Sequence, residues 1–141
     1  MIRKAPVSLI MTEPVITLKK TDSLKKAESL FKKHHIRHIP IVSSGAVIGM
    51  LSYTDMLRLS FVNIFNENEE EDDPDVSVYN MLTIQQVMTQ NIVTVTTSNS
   101  IKEVAEILAS REFHALPVVK YNKLVGIVTT TDLIKYLINQ F

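Results

Sequence analysis

Residues 49–55 read GMLSYTD and residues 126–132 read GIVTTTD. Each segment presents a hydroxyl, a spacer, a threonine and an aspartate after a glycine and two apolar residues. In an extended stretch, side chains two apart point the same way, so Ser52 and Thr54 are expected to share a face, as are Thr129 and Thr131. A helix is expected to begin near Asp55 and Asp132, and the first amides of a helix lack intrahelical acceptors and favour an anion. Two hydroxyls beside such a tip suit a phosphate. A carboxylate only accepts, so Asp55 and Asp132 can take the two hydroxyls of a ribose. It also repels phosphate, so the pattern fits a ligand with hydroxyls at one end and an anion at the other, as in a nucleotide. Capping alone would place the same residue types ahead of an apolar helix, and for either copy taken singly that reading stays open.

Other chemistry finds less support. His34, His35 and His38 invite a metal reading, with His34 and His38 four apart. Pro40 follows closely and the helix is expected to end near His35, which would break a helical i, i+4 ligand pair; no metal site is expected. The chain has no cysteine, so disulfides and thiolate chemistry are excluded. With only three glycines it has no Walker A motif, no Gly-rich phosphate loop and no nucleophile elbow, and no enzymatic activity is expected.

The elements that position these residues are written twice. Shifting the sequence by 77 residues aligns residues 10–59 with 87–136 without a gap, with ten identities that include Met11/Met88, Thr12/Thr89, Pro40/Pro117, Gly49/Gly126 and Asp55/Asp132. In each copy a short β-rich run (VITL from Val15, IVTV from Ile92) precedes an N-cap signal, Ser23 or Ser100, the latter with Glu103 at capping-box spacing. The helix that follows carries an apolar stripe at Leu24, Ala27, Leu30 and Phe31, matched by Ile101, Val104, Ile107 and Leu108. Two strands joined by a turn at Gly45 or Asn122, both tolerant of a left-handed backbone, lead into a last helix. The order is β-α-β-β-α, twice. Neither half of about 50 residues covers both faces of its sheet, so two pseudo-two-fold-related halves packed through their sheets, with a cleft between them, are expected: an α/β (α+β) fold.

At 141 residues the chain is long enough to bury about 68–70% of its unfolded surface. It has no apolar run near the ~20 residues of a membrane helix, and the apolar run at 7–11 is shorter than a secretory core. The net charge of zero hides an acidic stretch at 66–75, NENEEEDDPD, holding seven of the 15 acidic residues. The remaining chain is basic, which suits an anionic ligand, but its basic residues form no dense run, so nucleic acid is not an expected partner. The expected division is residues 1–60 as the first motif with its lead-in, 61–82 as a helix extension and acidic linker, and 83–141 as the second motif. The apolar segment at 56–65 is either core or a surface presenting Phe61, Ile64 and Phe65.

Met-Thr ahead of the first strand, IPIV/LPVV, and VIGMLSYTD/LVGIVTTTD together resemble the two motifs of a cystathionine-β-synthase (CBS) domain pair, a Bateman module. The resemblance implies a regulatory module that binds AMP, ADP, ATP or S-adenosylmethionine in the cleft between its motifs, with no cofactor beyond that ligand. Recurrence of Ser/Thr-x-Thr-Asp within the family pattern favours ribose at Asp55 and Asp132 and phosphate at Ser52, Thr54, Thr129 and Thr131. It implies that the residues before each proline, Arg37 and His38 in IRHIP and His114 in FHALP, also reach phosphate. Ala115 replaces His38 in the second copy, so two equivalent sites are not expected; strand-edge surface positions are the alternative for these basic residues. Ile16, Thr17, Val93 and Thr94, with Pro40 and Pro117, are implied around an adenine. A homodimer, a separate effector protein and a cytoplasmic location complete the expectation. The competing expectation is a ligand-free interaction scaffold.

Overall fold

The structure, a computed structural model, describes residues 4–65, 81–111 and 113–141, with the side chains of 60–65 outside that description. The acidic stretch at 66–75 and the side chains of Phe61, Ile64 and Phe65 therefore lie outside the described residues. Two compact units result, one formed by Ile16–Ile92 and the other by Met1–Val15 with Val93–Phe141. These units divide the chain differently from the linear repeat, because each Met-Thr lead-in belongs with the other copy's hairpin.

The Ile16–Ile92 unit contains α1 (Leu24–His34), β1 (His38–Ser43), β2 (Ala46–Ser52), α2 (Tyr53–Phe65) and α3 (Ile84–Val87). α1 starts where Ser23 accepts the Lys26 amide, a cap worth about 1 kcal/mol. It ends where His35 turns left-handed at φ 53° and donates to the Phe31 carbonyl. Its stripe buries Leu24, Ala27 and Phe31 against Ile39, Ile41 and Leu51 of the hairpin. Each large apolar side chain so buried contributes about 1.5–3 kcal/mol. The Phe31 ring meets Tyr53 at the start of α2, centroids 5.6 Å apart and planes tilted by 60°, an edge-on geometry favourable for aromatic pairs.

The second unit contains a 3-10 turn (Val7–Leu9), β3 (Val95–Thr96), α4 (Ile101–Ser110), β4 (Ala115–Lys120), β5 (Lys123–Thr129) and α5 (Thr130–Asn139). Ser100 and Glu103 form the expected capping box of α4. Val104 and Leu108 pack with Val95, Leu116, Val118 and Val128, and Val7 from the N-terminal arm is fully buried among them. The arm is tied down by Val7 N–H to the Asn99 carbonyl (2.7 Å) and Ile101 N–H to the Ala5 carbonyl (2.8 Å).

The fold is the expected mixture of helices and two small sheets, β1-β2 and β3-β4-β5. The first strand of each copy is shorter than expected. VITL forms only a parallel bridge from Leu18 to Ile41, and IVTV only Val95–Thr96 beside Val118 and Val119. At the far end of each strand a side chain takes a backbone amide. Lys19 N–H donates to Asp22 Oδ2 and Thr96 N–H to Asn99 Oδ1, each at 2.8 Å, and both turn the chain into its helix.

Candidate functional site

Both hairpins turn on two residues of positive φ, Ser44 (52°) with Gly45 (84°) and Tyr121 (52°) with Asn122 (63°). That pairing matches the right-handed strand twist and sets the register. Each hairpin carries an irregularity at the same place, between Ile41 and Val42 and between Val118 and Val119. The resulting register sets His38 opposite Ser52 and Ala115 opposite Thr129, at the end of the strand where the next helix begins.

The helix begins earlier than expected. α2 starts at Tyr53 and α5 at Thr130, so Thr54 and Thr131 lie in the first helical turn. The two-residue alternation therefore does not extend past Ser52 and Thr129, and the hydroxyl pairs do not share a strand face. Instead the i, i+3 relation brings Ser52 to Asp55 and Thr129 to Asp132. The Asp55 amide donates to Ser52 Oγ (3.1 Å) and the Ser52 amide to Asp55 Oδ2 (3.3 Å). The Asp132 amide donates to Thr129 Oγ1 (3.1 Å) and the Thr129 amide to Asp132 Oδ2 (2.9 Å). These are reciprocal caps, so the aspartates do serve as capping residues.

Capping commits one oxygen of each carboxylate, which has about four lone-pair positions. Oδ1 of Asp55 meets Arg58 Nη1 and Oδ1 of Asp132 meets Thr12 Oγ1, both at 3.5 Å, the outer limit for such contacts. Both aspartates are half-buried and both threonines, Thr54 and Thr131, are exposed. The first amide of each helix is also engaged. Tyr53 N–H donates to the Arg37 carbonyl (2.8 Å) and Thr130 N–H to the His114 carbonyl (3.0 Å). The second amides, of Thr54 and Thr131, have no protein acceptor among the described residues.

Arg37, His38, Ser52, Thr54 and Asp55 thus gather at one helix tip, and His114, Thr129, Thr131 and Asp132 at the other. Arg37 and His114 are exposed and His38 is half-buried. Leu18 N–H donates to the Pro40 carbonyl (3.1 Å), which brings the segment containing Ile16 and Thr17 alongside β1. The pairing of Val95 with Val118 does the same for Val93 and Thr94 beside β4. Pro40 and Pro117 are buried. His34 ends α1 whereas His38 lies in β1, and among the described residues no group of three potential ligands could hold a metal.

Two residues at these tips were not singled out for this role in the sequence. Arg58, three positions beyond Asp55 on a helix, was within reach of the i, i+3 rule. Thr12 carried only its identity with Thr89 as a signal; its place beside Asp132 depends on a pairing 120 residues apart.

The family model for the CBS domain matches residues 7–61 and 84–139. The chain belongs to the CBS domain family. Its two matches make it a tandem CBS pair, which corresponds to the two repeated copies. A CBS-pair structure of protein MJ0100, in complex with 5-methylthioadenosine and S-adenosyl-L-methionine, is 26% identical with a TM-score of 0.77, covering 97% of this chain and 98% of that one. The CBS domain of a CBS-domain-containing membrane protein from Sphaerobacter thermophilus is 31% identical with a TM-score of 0.74, covering 95% and 88%. Protein MJ1225 of Methanocaldococcus jannaschii is 32% identical over 133 residues, 94% of this chain and 42% of the relative. The chain spans 42% or less of the length of the first curated relatives it matches. Among the described residues no helix is long and apolar enough to cross a membrane.

Proposed function

We propose that this CBS pair is a regulatory module that binds an adenosine-containing ligand, AMP, ADP, ATP or S-adenosylmethionine, and passes its occupancy to a separate effector protein. The observation that carries the reading is the doubled helix tip. In both units a hydroxyl and an aspartate cap the helix, and the second oxygen of the carboxylate and the second helical amide face the same end. The carbonyl of a basic residue is bound to the first amide. Ribose hydroxyls donate to Asp55 or Asp132, while the amide and hydroxyl protons of Thr54 or Thr131 and the Ser52 or Thr129 hydroxyl meet the anionic end. Ile16, Thr17, Val93 and Thr94 flank the base. The complex named for MJ0100 supports this ligand class.

The module acts by population shift: the ligand favours the conformation it binds more tightly. The test is thermal unfolding with AMP, ADP, ATP and S-adenosylmethionine at millimolar concentration. A ligand at 100 times its Kd adds about 2.7 kcal/mol. Asp55→Ala and Asp132→Ala each remove part of the gain. Unchanged melting with every compound favours the scaffold reading, whose support is the exposed apolar stripe of α5, Ile134, Leu137 and Ile138, with Phe141 just beyond it. We propose that this stripe seats a second copy of the chain in either case.

A further inference from the structure

Asp55 and Asp132 hold matching places but turn their outward oxygen to chemically different partners. Oδ1 of Asp55 faces a guanidinium, that of Arg58, and Oδ1 of Asp132 faces a neutral hydroxyl, that of Thr12. The position matching Arg58 in the second copy is Lys135, which is exposed and forms no ion pair with Asp132. The pre-proline residues differ in the same direction, Arg37 and His38 against His114 and Ala115. The Arg58 side chain is 76% exposed and held by one long contact, whereas the Asp55 side chain is 21% exposed. The carboxylate is therefore fixed and the cation is free to move. A diol that takes Oδ1 of Asp55 leaves the guanidinium facing the rest of the ligand, and its planar fork matches a phosphate.

Resting on the nucleotide reading above, we infer that Arg58 makes the Asp55 site select phosphorylated adenosine ligands over the uncharged nucleoside. The Asp132 site, with a neutral hydroxyl on the same oxygen, makes that distinction less strongly. Arg58 is thus a specificity residue, and one chain carries two sites that differ in their preference for ligand charge.

Calorimetric titration of the full chain with AMP and with adenosine tests this. Asp132→Asn and Asp55→Asn isolate one site each while keeping an oxygen for the cap. With Asp132→Asn, AMP binds at least about tenfold more tightly than adenosine, the size of one charge-assisted hydrogen bond. Adding Arg58→Gln collapses that ratio, and Arg58→Lys recovers part of it. With Asp55→Asn the ratio is smaller and Lys135→Gln does not move it. If both compounds still bind but Arg58→Gln leaves the ratio unchanged, or if both sites show the same preference, the inference is overturned and the nucleotide reading stands. If the unsubstituted chain gives no heat with either compound, the nucleotide reading fails and this inference fails with it.

Discussion

The thioether of Met88 lies on the α-carbon of Gly49, so closely that a Cβ at that position would collide with its Sδ. The second unit repeats the arrangement with Met11 and Gly126. The Thr next to each Met completes the contact with a pair of backbone bonds. Thr89 exchanges hydrogen bonds with Met50 at 2.8 and 3.0 Å, and Thr12 with Ile127 at 2.7 and 3.0 Å. The repeated Met-Thr and the repeated Gly are therefore two halves of one joint that fastens each lead-in to a hairpin edge.

Substituting Gly49→Ala should cost about 1–3 kcal/mol, the usual penalty for overfilling a packed site. Met88→Ala should cost about 2–5 kcal/mol, toward the lower end because the thioether is flexible. In Met88→Ala the added methyl finds space, so the double variant should be more stable than the sum of the two losses by about 0.5–3 kcal/mol. Urea denaturation of the four proteins measures that coupling, and strict additivity would rule out the joint.

Much of this is legible in the sequence, for local reasons. The caps at Ser23 and Ser100, the helix stripes and the left-handed turns at Gly45 and Asn122 all depend on residues within four positions of one another. α2 and α5 start two residues before Asp55 and Asp132, because strand alternation does not continue past Ser52 and Thr129. What sets the boundary is itself local, the reciprocal caps of Ser52 with Asp55 and of Thr129 with Asp132 at capping-box spacing. The Met–Gly joints and the approach of Thr12 to Asp132 are long-range instead. A repeat marks such residues as special without saying which copy they touch.

The caps at the candidate site separate two roles of Asp55 and Asp132. Ser52→Ala and Thr129→Ala should each lower stability by about 1 kcal/mol through loss of the N-cap. Asp55→Asn and Asp132→Asn keep an oxygen for the Ser52 or Thr129 amide and should cost less, yet should weaken the melting gain from AMP. If the two Asn variants retain the full gain, the carboxylates act as caps only.

Acid should weaken the molecule through two carboxylates away from the site. The Lys19 amide, helped by the Lys26 ammonium, holds Asp22 below the ordinary 3.8. The Ser100 amide and hydroxyl hold Glu103 below the ordinary 4.5. In each case the unfolded chain binds protons at a higher pH than the folded one. The stabilisation is therefore complete above the ordinary value and is lost as pH falls through the lowered one. Denaturation between pH 5 and about 2 should show a falling midpoint, and Asp22→Asn or Glu103→Gln should flatten its slope. An unchanged slope in both variants would place the acid sensitivity elsewhere.

The apolar stripe of α5 sets the last expectation. Ile134, Leu137 and Ile138 fall at three- and four-residue spacing and are 56–63% exposed, and Phe141, just beyond the helix, is exposed as well. A helix that shows such a face to water gains by covering it, and a two-fold pair of identical stripes is the simplest self-complementary cover. Sedimentation of the unsubstituted chain at tens of micromolar should give a dimer. Leu137→Lys should shift it toward monomer while leaving the denaturation midpoint of the monomer nearly unchanged, because the side chain is mostly outside its core. A monomeric parent protein, or a dimer indifferent to lysine at both 137 and 134, would remove α5 as the seat of self-association.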